Sequence, residues 1–308
     1  MTAGAGHDRP APLDQSPAPA LSRATVYRAA ERRTDDDWLA DVWRNRGRLL
    51  VLDSNHQVLI ADDRAAEDPE LHLVPTDGGR ADDAVFLGED AEAAYFARRV
   101  DVLPVPEGTR AASLREVGSG LGDRDAGLLV HAVALLTWLS RSAHCTLCGA
   151  LTEVRAAGSL RVCPVDGSEH HPRTDPAMIV LVTSPDGDRA VLGRNVGWPD
   201  GLYSCLAGFV EPGESAEQAV VREVAEEAGL AVTDLRYTGS QPWPFPSSLM
   251  LAYRAVTHEE DIKVDPVELS DARWFSRAEL RTALADGSVW APPSVSIARR
   301  LIDAWLDG

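Results

Sequence analysis

Glu223, Glu226 and Glu227 crowd one short stretch of the C-terminal half, within Gly208-Phe-Val-Glu-Pro-Gly-Glu-Ser-Ala-Glu-Gln-Ala-Val-Val-Arg-Glu-Val-Ala-Glu-Glu-Ala-Gly-Leu230. Ser215 followed three residues later by Gln218 has capping-box spacing, so a helix is expected from Ala216 to near Ala228, with Gly229 as its left-handed terminus. At about 100° per residue, Val221, Val224, Ala225 and Ala228 share one face and the three glutamates the opposite arc. Like charges four apart, as at Glu223 and Glu227, oppose a helix by roughly 0.2–0.5 kcal/mol. A solvated surface helix tolerates that cost. A hard divalent cation converts it into attraction, because Mg²⁺ and Mn²⁺ prefer carboxylate oxygens and take substrate phosphates to complete their shells. Arg222, four residues before Glu226, is placed to orient carboxylates. The preceding loop adds Glu214, with Gly208 and Gly213 permitting close backbone approach and Pro212 stiffening the turn.

A second chemical cluster lies at Cys145-Thr-Leu-Cys148 and, after a fourteen-residue spacer, Cys163. This is three quarters of a zinc-ribbon pattern. Where a fourth cysteine would complete it stands Asp166, with His170 and His171 close by; all three are acceptable Zn²⁺ donors, so the fourth ligand is open among them. A ribbon held by packing, its metal lost, is the alternative. Cys205 stands apart in an apolar stretch and reads as buried. Four cysteines in 308 residues are too few for a disulfide scaffold, which fits a reducing compartment.

The glutamate run resembles the Nudix signature: Gly, five residues, Glu, seven residues, then Arg-Glu-apolar-any-Glu-Glu-any-Gly-apolar. Gly208, Glu214, Arg222, Glu223, Val224, Glu226, Glu227, Gly229 and Leu230 meet every specified position. Downstream, Ser240-Gln-Pro-Trp-Pro-Phe-Pro-Ser-Ser248 alternates prolines with Trp243 and Phe245, a stiff extended segment that displays ring faces. That segment is similar to the mark of the NADH pyrophosphatase (NAD⁺ diphosphatase) subfamily, and residues 267–275 and 292–301 match it as well.

The resemblance implies an α/β fold: a Nudix α/β/α sandwich around a mixed sheet, preceded by a zinc-ribbon-like segment and an α+β N-terminal domain. It implies hydrolysis of the diphosphate of NADH or NAD⁺ to nicotinamide mononucleotide and AMP, and removal of NAD caps from RNA 5′ ends by the same cut. Glu223, Glu226, Glu227 and Glu268 would hold Mg²⁺ or Mn²⁺, and Arg222 would join the three helix glutamates in catalysis; which glutamate is the base stays open. Phe209, Gln241, Trp243, Ser248, Met250 and Ala298 would line the substrate site, and the chain would form a homodimer. A Nudix hydrolase preferring ADP-ribose or another dinucleotide is the nearest rival. A non-catalytic nucleotide sensor is a second, against which the retained glutamates speak.

With 30 basic and 48 acidic side chains the formal charge is −18, which disfavours broad, sequence-blind contact with nucleic acid. No run of about 18 apolar residues is present to suggest a membrane span. The nearest, 127–139, carries His131, and residues 1–20 lack a hydrophobic signal core, so a cytoplasmic location is expected. The chain reads as a disordered tail (1–22), an N-terminal domain (23–142), a ribbon-like segment (143–175) and a Nudix domain (176–308), with no internal repeat visible. A hairpin is expected from 47–53 and 57–60, and strands over 84–88, 93–97, 178–182, 189–193 and 202–210. A helix over 122–142 would be capped by Asp123 or Asp125 and would bury Leu128, Leu129, Ala132, Leu135, Leu136 and Leu139. The N-terminal half shows no catalytic constellation.

Overall fold

The computed structural model describes residues 18–61 and 68–308. They form two compact units, Arg23–Pro172 and Arg173–Gly308, the second also including Pro19–Ser22. Residues 1–17 of the expected tail lie outside the described residues. Its last part is a correction: Leu21 is fully buried and Ser22 Oγ donates to Ser240 O at 2.9 Å. One leucine with a core to enter outweighs its Pro- and Ala-rich surroundings.

The first unit opens with α1 (Asp36–Arg46), then β1 (Gly47–Leu52), β2 (Gln57–Ala61), β3 (Val74–Pro75), β4 (Val85–Glu89), β5 (Ala94–Arg99) and β6 (Thr109–Ser113). The expected hairpin is β1–β2, its turn held by Asp53 Oδ1, which accepts the N–H groups of Asn55 and Gln57 at 2.8 Å each. Helices α2 (Leu114–Val117) and α3 (Asp123–Arg141) follow, then a three-stranded sheet of β7 (Glu153–Arg155), β8 (Leu160–Val162) and β9 (Glu169–His170). α3 buries the predicted leucine face, Leu139 only partly. Neither Asp123 nor Asp125 caps it. Gly122 does so without a side chain, Asp123 pairs with Arg23, and Asp125 turns inward to accept Leu71 N–H at 2.9 Å. A buried backbone donor elsewhere in the unit is a stronger claim on that carboxylate than the helix end, which water reaches.

The second unit contains β10 (Asp175–Thr183), β11 (Arg189–Asn195), β12 (Leu206–Phe209), α4 (Ala216–Ala228), β13 (Thr233–Trp243), β14 (Ser248–Val256), β15 (Leu269–Ser276), α5 (Arg277–Asp286) and α6 (Ile297–Leu306). The strand expected over 202–210 is confined to β12; Leu202 and Ser204 make only isolated bridges. The sheet runs β13-β14-β10-β11-β15, with β12 paired to β10. β10 and β14 are parallel and the other pairs antiparallel, which makes the sheet mixed. Alternation along β10 sends Met178, Val180 and Val182 to a core shared with α4, and Ile179 and Leu181 to a core shared with α5 and α6. This is the α/β/α sandwich.

The first unit repeats that topology. Its sheet runs β4-β5-β1-β2-β6, β3 pairs with β1, and β1 and β5 are parallel, so each strand has a counterpart nine places later. The reading that no internal repeat exists is therefore corrected at the level of topology, because strand order tolerates side-chain changes that erase sequence similarity. The copies differ where it matters: between β3 and β4 there is no helix, whereas between β12 and β13 lies α4, the carboxylate helix.

Among the described residues no helix is long and apolar enough to cross a membrane. His131 on α3 donates from Nδ1 to Leu87 O at 3.1 Å, and burial, with Arg28 and Arg33 adding repulsion, pushes its pKa down to about 3. Its neutral form is thus the folded one: this stability is present above pH 6.5 and lost as the pH falls toward 3. Lowering the pH from 6.5 to 5 should cost the first unit up to about 2 kcal/mol in thermal or denaturant melts. His131→Asn, which keeps a donor for Leu87, should remove most of that loss.

Candidate active site and metal centre

α4 is bounded as the sequence predicts. Ser215 and Gln218 form both bonds of the capping box, and Gly229 takes φ 66° and donates to Ala225 O. Its orientation is different. The buried face carries Ala219, Val220, Glu223, Val224, Glu227 and Ala228, while Val221 and Ala225 are exposed. Glu223 and Glu227 are therefore not on a solvated arc. They lie on the flank of the face turned to the sheet, and Glu226 alone points outward.

Gly208 on β12 makes this possible. A Cβ built there would fall 2.0 Å from both Cδ and Oε1 of Glu223, so the carboxylate occupies the volume that any other residue's side chain would need. Arg222 pins it in place. Its Nη1 donates to Glu223 Oε1 at 2.8 Å and to Glu226 Oε2 at 3.1 Å; Nε and Nη2 hold the two oxygens of Glu214 at 2.9 Å each; Nη2 also reaches Phe209 O at 2.9 Å. One guanidinium thus ties the loop, the end of β12 and α4 together, the fork geometry in which arginine exceeds lysine.

Glu227 has no such partner. Its Oε2 is buried without a hydrogen bond, and burial first, then the charges of Glu223 and Glu268, push its pKa up to about 8, an N–H from Ala207 pulling the other way. Glu223 is raised too, by burial against the pull of Arg222. Leaving a buried acceptor unsatisfied costs about 1–3 kcal/mol. Glu223, Glu227 and the exposed Glu268 thus repel one another around a buried, orphaned oxygen, and a divalent cation reverses every one of those signs. The residues present fit such an ion.

The expected substrate-site residues divide between two settings. In register, Ala177 on β10 has Phe209 on one side and Met250 on the other, and Met250 partners Gln241, so Gln241, Met250, Ala177 and Phe209 form one row across the sheet. This row faces the α6 side, opposite Gly208 and Glu223. Phe209 is 58% exposed, an aromatic left uncovered at the end of β12. Trp243 stacks edge-on to Phe245 with centroids 4.9 Å apart, and lies opposite Ser248 in register. Gln241 and Ala298 are buried instead. Gln241 Nε2 donates to Val295 O at 3.0 Å and its Oε1 accepts from Leu21 N–H at 3.5 Å, so its amide braces the approach to α6. Ala298 packs into the α6 core.

In the first unit, ligand atoms of Cys145, Cys148, Cys163 and Asp166 all lie within 4.8 Å of one another. Two like-built turns bring them there. Gly149 N–H donates to Cys145 O and Gly167 N–H to Cys163 O, each at 3.0 Å, with φ of 77° and 75° at the glycines. Cys145 N–H donates to Ala150 O at 2.8 Å and Cys163 N–H to Ser168 O at 2.9 Å. Asp166 therefore occupies in the second turn the place of Cys148 in the first. Of the alternatives, His170 Nε2 is 3.1 Å from Ser168 Oγ, which is itself 3.3 Å from Cys145 Sγ and so stands between His170 and the cluster, and His171 is exposed beside Glu169.

Residues 173–295 match the NUDIX domain model, and residues 42–138 match the NADH pyrophosphatase-like rudimentary NUDIX domain. The chain is 41% identical over 302 residues, 93% of its own length and 94% of the relative's, to the NAD-capped RNA hydrolase NudC of Mycobacterium bovis. It is 32% identical over 341 residues, 93% of this chain and 73% of the relative, to the NAD-capped RNA hydrolase NUDT12 of Pongo abelii. The chain is a Nudix hydrolase of the NADH pyrophosphatase subfamily. A solved NUDIX hydrolase of Nitrosomonas europaea covers 44% of this chain and 78% of its own at 22% identity, with a TM-score of 0.39, a likeness too slight to add to the assignment.

Two parts of this Nudix hydrolase's site escape sequence reasoning because they are backbone groups, the Phe209 carbonyl held by Arg222 and the Ala207 N–H on Glu227. Gly208→Ala should leave the fold intact, since what it displaces is the end of a side chain, but should push Glu223 off its seat. Mn²⁺ titration monitored by thermal shift is expected to show at least tenfold weaker binding than wild type. Unchanged affinity would mean that Glu223 does not need that space.

Proposed function

We propose that this Nudix hydrolase cleaves the diphosphate of NADH or NAD⁺ into nicotinamide mononucleotide and AMP, and by the same cut removes NAD from RNA 5′ ends. Likeness along nearly the whole chain to NAD-capped RNA hydrolases supports the substrate. The chemistry rests on one observation above others, the buried and unpartnered Glu227 oxygen beside Glu223 and Glu268.

In this reading Glu223, Glu226, Glu227 and Glu268 hold Mg²⁺ or Mn²⁺. When bound, such an ion neutralises charge developing on the diphosphate oxygens. Arg222 sets the carboxylates beforehand, engaging one oxygen each of Glu223 and Glu226 and leaving the second free for a cation. Phe209, with its ring uncovered, stacks on a planar base, a contact worth about 1–3 kcal/mol per base. Trp243, Ser248 and Met250 line the approach on the same sheet, while Gln241, through its buried amide, and Ala298, packed in the core, hold the α6 segment in place rather than touch the substrate. Zn²⁺ at Cys145, Cys148, Cys163 and Asp166, a donor set of three thiolates and a carboxylate, ties the two turns of the ribbon. The homodimer belongs to the same reading and rests on the subfamily resemblance.

Incubation with NADH and Mn²⁺ is expected to release AMP and reduced nicotinamide mononucleotide, and Glu227→Gln to lower the rate by about 100-fold or more. Release no faster than in the variant would overturn the reading; faster turnover of ADP-ribose than of NADH would move it to that substrate. Metal analysis should find one zinc per chain, lost in Asp166→Ala and kept in Asp166→Cys. A wild-type protein free of zinc and fully active would remove the ribbon site.

A further inference from the structure

A concavity of about 360 Å³ opens in the second unit between β13, β14 and α6, and every charged residue lining it is an arginine: Arg236, Arg254 and Arg300. Its volume falls within the about 300–1,000 Å³ of small-molecule pockets. Arg236 and Arg254 are register partners on neighbouring strands, and Ala252, two residues before Arg254, packs toward α6, so both arginines project to that face. Arg300 meets them from the helix, with its Nη1 buried and without a hydrogen-bond partner.

Among the described residues none of the three forms an ion pair, although the chain carries 48 acidic side chains. Other arginines of the same unit are paired: Arg189 with Glu260, Arg194 with Asp200, Arg277 with Asp188, and Arg299, next in sequence to Arg300, with Asp303. Like charges directly opposite on adjacent strands destabilise a sheet. β13 is an edge strand, and a charge on an edge discourages pairing with other chains. That accounts for Arg236. It does not account for Arg254 on the interior strand β14, or for Arg300, whose Nη1 is turned inward.

We propose that this pocket binds a phosphate group, as a phosphomonoester or as the phosphodiester of a nucleic acid strand. Guanidinium forks match phosphate oxygens in pairs, and an anion between three of them offsets the repulsion they exert on one another. Ile297, Leu301 and Ala304 supply an apolar wall for the rest of the ligand. The pocket lies on the face of the sheet away from α4 and its carboxylates, a face it shares with the row of Gln241, Met250, Ala177 and Phe209, but none of those four residues lines it, so the inference does not rest on the proposed function.

The test is titration of the full-length protein, without divalent ions and at constant ionic strength against chloride, with inorganic phosphate, ribose 5-phosphate and an uncapped RNA tetramer bearing a 5′-hydroxyl. At least one should raise the melting temperature of the wild type and bind at least tenfold more tightly than to Arg300→Met or Arg254→Met. Both variants should keep wild-type Mn²⁺-dependent turnover of NADH, and ligand-free Arg254→Met should melt no lower than wild type because it loses only repulsion. A response to the small phosphates identifies a phosphomonoester, and a response to the tetramer alone a phosphodiester. Should Arg300→Met fail to fold, Arg254→Met decides. No response above the chloride control, or equal affinity in wild type and variant, would overturn the proposal.

Discussion

A carboxylate resting on a bare α-carbon is the contact on which the catalytic end of this protein depends. Because Gly208 has no side chain, Glu223 lies over β12, and Arg222 can then hold Glu223, Glu226, Glu214 and the Phe209 carbonyl with one guanidinium. That clamp fixes the rotation of α4, and the rotation carries Glu227 into the interior, where one of its oxygens finds no partner. Helix dipole and propensity have little part in this. The helix is held by Val220, Val224 and Ala228 in the core, and the core side is where two like charges are least comfortable.

The paired topology of the two units explains where chemistry is absent as well as where it is present. Both sheets join two parallel strands flanked by antiparallel ones in the same order, yet only the second inserts a helix between its third and fourth strands. The first unit thus lacks a counterpart of the element that carries the clustered carboxylates in the second. It carries the cysteine ribbon instead, whose two turns repeat one hydrogen-bond pattern and so set Asp166 where a cysteine would complete the set.

Much of the site was legible because its information is local. Capping boxes, a left-handed glycine and the spacing of donors along a turn are determined by neighbours a few residues away, and α4 begins and ends where Ser215, Gln218 and Gly229 say. The helix face departs from its apolar spacing for the converse reason. Counting apolar residues put Val221 and Ala225 inside, but what the sheet offers opposite the helix decides burial, and opposite Glu223 it offers an empty glycine. Asp125 and Leu21 follow the same logic: a distant N–H claims one, a distant core the other.

The sequence by itself determined the family, the glutamates, the ribbon cysteines and the bounds of the helix that carries the chemistry, since each is written in residues close along the chain. Tertiary structure alone decided that Glu223 and Glu227 are buried while Glu226 is not, that Gln241 braces α6, and that three arginines far apart in sequence meet without a carboxylate between them. Those facts depend on which strands become neighbours. The parallel pairing of β10 with β14 is a long-range choice made by the whole core, so no local pattern records it.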